Sequence, residues 1–501
     1  MQEDAERTAN RKERLQIPHT PYAVRLPEER VKDFDDIVIG YTAEEAMLEA
    51  GRCLICPTPA ACAEACPLHN DIPGAMWLIA HGDFIGAANL YRQTSIFPEI
   101  CGRVCPQEKL CEGACAAGKK VTVTSLGKLE MFVADYQRER EGWPTPSIAE
   151  PTGYQVAVVG SGPAGLAVAE ALLMRGHAVT VYEALPYPGG LLMYGIPNFK
   201  LPKTLVMEKI EFLKRIGVQF VCDARIGATI KVDDLFEMGF DAVFIGVGAN
   251  VDAQLKAPGV ALHGIYQAGE FLIRSNPPRH IVVPAFRDPP TIGKRVAVIG
   301  GGDTATDCLR TALRLGAEEV TCYYRRTEAE MPGSKRERKH AVEEGARIEY
   351  LVAPVKFIGD ERGQVRAMEL QRMELGAPDE SGRRRPVPLK GSEFTAPIDT
   401  VVLALGYWPD ETLGKTTPDL KTHDYGLIDA DDRTGRTSRV GVFAGGDAVT
   451  GPDLVSTAVA AGFRAAHAID EYLKGGKQRV LLNEAEPDVA WVIDQIGGAY
   501  N

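Results

Sequence analysis

The chain has 501 residues, enough for about two to four domains with buried cores. It is 45% hydrophobic and 25% charged, as soluble globular proteins are, and 68 acidic residues against 56 Lys and Arg give a formal charge of −12, which argues against broad nucleic-acid binding. No stretch approaches the roughly 18–20 uninterrupted apolar residues of a membrane span, and the start MQEDAERTANRKER is too charged for a secretory signal, so a cytoplasmic, multi-domain protein is expected.

Residues 1–39, charged and punctuated by Pro18, Pro21 and Pro27, read as an extended arm that could pack on a partner. Residues 40–140 read as mostly helical, with helical apolar spacing over Ile72–Ala80 and Gly86–Arg92. Eight of the 11 cysteines fall there. The first four run Cys53-x2-Cys56-x5-Cys62-x3-Cys66-Pro67; the others are Cys101-x3-Cys105-Pro106 and Cys111-x3-Cys115. A reducing cytosol disfavours a disulfide framework. Structural zinc takes two separated Cys-x2-Cys hooks, and only one is present. The ending Cys-x3-Cys-Pro is similar to the ferredoxin run, in which three cysteines serve one iron–sulfur cluster and the fourth crosses to another. Two 4Fe–4S clusters are therefore expected. The eight cysteines could supply all the ligands, and spacing leaves open whether Cys101 is a ligand or a small buried thiol.

Residues 141–153, with Pro144, Pro146 and Pro151, read as a linker. An apolar strand, Gln155–Val159, then leads into Gly160-Ser161-Gly162-Pro163-Ala164-Gly165, a helical pattern through Met174, and a second strand, Ala178–Tyr182, ending at Glu183. This is the full dinucleotide-binding fingerprint, with the helix N-terminus facing the phosphates and Glu183 able to accept from the ribose hydroxyls. The pattern returns as strand Arg295–Ile299, then Gly300-Gly301-Gly302-Asp303-Thr304-Ala305, a helix to Leu315 and strand Val320–Tyr324. Aligning the second strands puts Tyr324 in place of Glu183, with Arg325 and Arg326 next. Arginines there supply donors to a 2′-phosphate, so this site is expected to prefer NADPH, with NADH as the alternative; the bland reading is a solvated strand end. Lys335, Arg336 and Arg338 read as a solvated helix face.

Two such folds suggest FAD in the first and a nicotinamide nucleotide in the second. Val442–Asp447, a strand closing on Gly446-Asp447, followed by a helix from Ser456 to about Leu473, would return the chain to the first fold and set Asp447 near the flavin ribityl chain. Phe244–Ala249 and Val401–Tyr407 read as crossovers between domains. The expected fold class is α/β: a helical double-cluster domain, then two Rossmann-like domains. The NADPH domain (285–395) is inserted into the FAD domain (154–284 and 396–480), with a tail at 481–501.

The chain resembles the small (beta) subunit of NADPH-dependent glutamate synthase and its wider family, which includes the N-terminal half of dihydropyrimidine dehydrogenase and the large subunit of the NADH-dependent ferredoxin:NADP⁺ oxidoreductase. The resemblance runs from Gly40 to Leu473, through Gly40-Tyr41-Thr42, Ala50–Cys56, Cys66-Pro67, Phe97-Pro98-Glu99, Gly102–Gln107, Cys111–Cys115, Pro188-Gly189-Gly190-Leu191, Gly195–Lys200 and Ala444–Asp447. It implies one cluster on Cys53, Cys56, Cys62 and Cys115, and another on Cys66, Cys105 and Cys111. The fourth ligand of the latter would be Glu130, where the dehydrogenase has glutamine, rather than Cys101. The five residues between Cys56 and Cys62 exceed the family's usual four.

Flavin is the junction between a two-electron hydride donor and one-electron clusters. The expected order is NADPH, FAD, first cluster, second cluster, partner, with no proton-transfer residue assigned. No Cys-x-x-Cys follows Cys115, and no length remains for a glutaminase or an FMN barrel, so substrate reduction would occur on another polypeptide. The expected function is an electron-input subunit of glutamate synthase type. A bifurcating or pyrimidine-reducing relative is the first alternative and a non-catalytic redox sensor or scaffold the second. A homo-oligomer is left open.

Overall fold

The computed structural model describes residues 11–378, 382–423 and 425–475; the tail at 481–501 lies outside them. The first domain is helical because short apolar stripes are bounded by clear caps. Thr42 and Glu45 form a reciprocal capping box on helix Ala43–Ala50. Asp71 and Asp83 accept the N–H groups of Gly74 and Gly86 to start helices Ile72–Ala80 and Phe84–Arg92. Helices Pro98–Val104 and Leu126–Glu141 complete the domain. These two touch closely: a Cβ on Gly102 would lie 2.6 Å from the Met131 nitrogen. Ala46, Met76, Ile79, Ala88, Leu129 and Val133 fill the core between the helices.

The first parallel sheet has the order Val442–Ala444, Ala242–Ile245, Gln155–Val159, Ala178–Tyr182, Gln219–Val221. Helices Pro163–Met174 and Val455–Lys474 pack together against it, and their core runs on into Leu68, Phe97, Ile100 and Cys105 of the cluster domain. The second parallel sheet has the order Arg347–Tyr350, Glu319–Tyr324, Arg295–Ile299, Thr400–Leu403, Ile265–Gln267.

The insertion thus reaches past the expected 285–395 at both ends. Thr400–Leu403 belongs to the second sheet and is not a crossover; Ala242–Ile245 belongs to the first. Both strands are buried along their whole length, so their apolar runs carry no mark of the sheet they join. The crossing is made by the antiparallel pair Val251–Asp252 and Tyr407–Trp408. An antiparallel layer, Val352–Gly359, Val365–Pro378, Arg384–Pro388 and Phe394–Pro397, covers one face of the second sheet through Phe357, Met368 and Leu370.

The described part of the arm packs on its own chain. Arg30 pairs with Glu343 and Glu344 at 2.8 and 2.7 Å, while Arg14 donates to the Cys53 carbonyl at 2.9 Å. Among the described residues, no helix is long and apolar enough to cross a membrane.

Candidate functional site

The eight cysteines are free and distribute around two neighbouring cavities. Cys66, Cys105, Cys111 and Glu130 line the inner one, together with Cys101. Cys53, Cys56, Cys62 and Cys115 line the outer one. Leu126 belongs to both walls. Local backbone explains the convergence. Ile55, at φ 44°, turns the chain between Cys53 and Cys56, and the Gln107 carbonyl accepts the N–H groups of Leu110, Glu112 and Gly113 to wind Cys105 toward Cys111. Cys101 sits inside helix Pro98–Val104 beside Ser95, with Sγ 4.0 Å from its hydroxyl.

Among the described residues, neither wall contains a basic one. Burial pushes the Cys53, Cys62 and Cys66 thiols up to about 12, 11 and 12. Donation from Cys101 holds Cys105 down, while burial raises Cys111. Burial, and then the negative charge of Cys105, keeps the Glu130 carboxyl well above the usual carboxylate range. The Asn70 amide reaches it at 3.5 Å. Among the described residues, no three such donors group tightly enough to hold a single ion. Four acidic donors spread round the outer wall, and five round the inner one with Cys101 counted, instead suit an iron–sulfur cube, whose metal supplies the missing positive charge.

The first dinucleotide loop also fits its group. Gly165 lets the helix sit on the loop, since a Cβ there would meet the Gly160 carbonyl at 2.0 Å, whereas a Cβ on Gly162 would meet nothing within 4 Å and faces open space. Two distant motifs close on that space. A Cβ on Gly190 would lie 2.8 Å from Gly162 Cα, and one on Gly446 3.0 Å from Ala164 Cβ. Leu191, 53% exposed, follows Gly190, and burial raises the neighbouring Asp447 carboxyl to about 6. Glu183 accepts from the N–H of Ser161 at 3.1 Å and from its hydroxyl.

At the second loop, Gly302 has the same open side. Asp303 heads its helix, with Thr304 and Ala305 in the first turn, and accepts from the Ser334 N–H at 2.8 Å. The Tyr324 ring lies against Gly301, and its hydroxyl donates to the Glu330 carbonyl at 2.7 Å. The two arginines part: Arg325 is exposed, whereas Arg326 is buried and donates to the Arg384 carbonyl at 2.7 Å.

The sequence reading missed two features of these walls. Leu126, which carries no ligating group, stands in both walls, and Ser456 enters the inner cavity from the first turn of helix Val455–Lys474, in the flavin domain. Nothing local to Ser456 signals a cysteine neighbour so far away in the chain.

Two family models match. Residues 30–142 match dihydropyrimidine dehydrogenase domain II, 4Fe-4S cluster, and residues 154–462 match the pyridine nucleotide-disulphide oxidoreductases. The chain is 43% identical, over 89% of its length and 68% of the relative, to an Escherichia coli chain named as an oxidoreductase, AegA. It is 39% identical to the glutamate synthase (NADPH) small chain of E. coli, covering 92% of this chain and 98% of that one. For the small chain of Azospirillum brasilense the figures are 38%, 94% and 99%. The fold matches Mycobacterium tuberculosis FprA in complex with NADPH, with a TM-score of 0.55 at 22% identity over 70% of this chain and 90% of that one. The chain belongs to the family of the NADPH glutamate synthase small chains, NADPH-dependent oxidoreductases that use FAD and 4Fe–4S clusters.

Proposed function

We propose that the chain is the electron-input subunit of a larger enzyme of glutamate synthase type, delivering electrons from NADPH to a catalytic partner chain. With FAD and the clusters bound, a two-electron hydride is taken up at the flavin and passed on one electron at a time. The residues supply the order. Gly162, Gly190 and Gly446 frame the flavin crevice, and Gly302 and Arg325 hold the nucleotide, Arg325 selecting the 2′-phosphate. Cys66, Cys105, Cys111 and Glu130 hold the inner cluster, and Cys53, Cys56, Cys62 and Cys115 the outer one. Cys101 is the small buried thiol.

The observation that carries this reading is the arrangement of walls: Ser456 brings the flavin domain to the inner cavity, and Leu126 joins the inner cavity to the outer. Clusters held in these walls would carry electrons from the flavin side to the outer site, on the way to the partner. Anaerobic reduction by NADPH, followed by mixing with candidate acceptors, tests the proposal. Reoxidation by a glutamate synthase large chain, with glutamate formed from glutamine and 2-oxoglutarate, is expected. A flavin that NADPH does not bleach overturns the input role; reoxidation only by ferredoxin or a pyrimidine-reducing chain overturns the choice of partner.

A further inference from the structure

The basic run Lys335, Arg336, Arg338 does not form one solvated face. Lys335 is exposed, and Arg338 is buried, donating to the Gly333 carbonyl of its own domain at 2.7 Å. Arg336 crosses to the cluster domain. Its Nη2 donates to Gln107 Oε1 at 2.8 Å and reaches the Cys105 carbonyl at 3.5 Å. Neighbouring contacts fix this crossing: the Ser334 hydroxyl donates to Glu108 at 2.5 Å, and the Lys109 ammonium donates to the Pro332 carbonyl. The same segment grips the nucleotide loop, through Ser334 N–H to Asp303 at 2.8 Å and Gly333 N–H to the Gly301 carbonyl at 3.2 Å.

The charges around Arg336 give it a purpose. Its hydrogen bonds go to neutral acceptors and it lies beside the Tyr22 hydroxyl, while Glu337, Glu112 and Glu108 act on it only at longer range. Among the described residues the inner wall holds acidic donors and no base; the cations whose charge reaches Cys105 are Lys128, buried behind the wall on the Gly102 carbonyl at 2.8 Å, and Arg336. A cube on three thiolates and a carboxylate carries net negative charge, and each electron taken up adds to it. A guanidinium stays protonated throughout, so its charge there is fixed.

We propose that Arg336, supplied by the nucleotide domain, is a positioning residue for the inner cluster: it holds the Cys105–Gln107 turn and adds, from outside the cluster domain, a fixed positive charge that favours one-electron reduction there. This rests on the cluster reading above. The electron comes from the flavin reduced by NADPH, and no bond or proton moves at Arg336.

The test uses the full chain, purified anaerobically with its clusters. Arg336→Gln and Arg336→Lys are compared by iron and sulfide content and by redox titration followed by electron paramagnetic resonance, the inner signal being the one lost in Cys111→Ser. In Arg336→Gln the reduced-to-oxidised ratio of the inner cluster at the parent's midpoint is expected to fall about tenfold, a shift of about 59 mV for one electron. The outer cluster stays in place, and Arg336→Lys retains the parental value. Loss of the inner cluster in the glutamine variant alone supports the same role. An unmoved inner midpoint, equal shifts or cluster loss in both variants, or movement of the outer cluster overturns it. A parent without inorganic sulfide overturns the cluster reading itself and this proposal with it.

Discussion

Glu183 accepts the Ser161 N–H at 3.1 Å, tying the end of the second strand to the glycine loop that begins the fold. The same carboxylate accepts the Leu185 N–H at 2.8 Å, so it shapes both sides of the flavin crevice. Hydrogen bonds to a charged group contribute about 1.5–3 kcal/mol. Glu183→Ala is expected to weaken FAD retention by roughly ten- to a hundredfold, read as the flavin-to-protein absorbance ratio after gel filtration; full retention would remove Glu183 from the site.

Cluster ligation separates Cys101 from Glu130. Cys101→Ser is expected to keep parental iron and both paramagnetic signals. Glu130→Ala is expected to lose or alter the inner signal alone. The opposite pattern would exchange their roles.

The proposed nucleotide choice is tested at Arg325. Its exposed guanidinium is available to a 2′-phosphate, while Arg326 is spent on the Arg384 carbonyl. Charge-assisted hydrogen bonds of this kind contribute about 1.5–3 kcal/mol. Arg325→Ala should raise KM for NADPH roughly ten- to a hundredfold and leave KM for NADH unchanged. Arg326→Ala should lower the thermal midpoint first.

Acid should loosen the joint between arm and nucleotide domain. Arg310 and Arg314 hold the buried Glu344 carboxyl down to about 2, and burial lowers His340 to about 4. Both folded values lie below the unfolded ones, so the unfolded chain binds more protons on acidification. Stability falls as pH drops from about 6.5 to 4 through His340, and from about 4.5 to 2 through Glu344. Differential scanning fluorimetry from pH 7 to 4 should show a falling midpoint, and His340→Phe should flatten that stretch.

The sequence was readable where one residue type at fixed spacing has one physical use. The glycine loops are such a case, because Gly162 and Gly302 keep an open side where any Cβ would stand. The division of the cysteines came from the resemblance, since spacing alone could not rank Cys101 against Glu130, and both line the inner cavity. Sheet membership of Thr400–Leu403 was hidden by its uniform burial. The antiparallel layer had a visible period of two, with Met368 and Leu370 buried on either side of half-exposed Glu369, but it lay inside a region read only for its nucleotide motif. Arg336 was misjudged because a helix periodicity identifies a face without identifying what another domain brings to it.

Leu126 has one more implication. A single isobutyl group stands in the partition between the two sulfur-lined chambers. Tunnelling falls off exponentially with separation, so the bulk of that side chain would matter to electron transfer between clusters held as proposed on either side. Were both chambers filled as proposed, this one aliphatic position would bear on the rate between them without touching a ligand or a nucleotide.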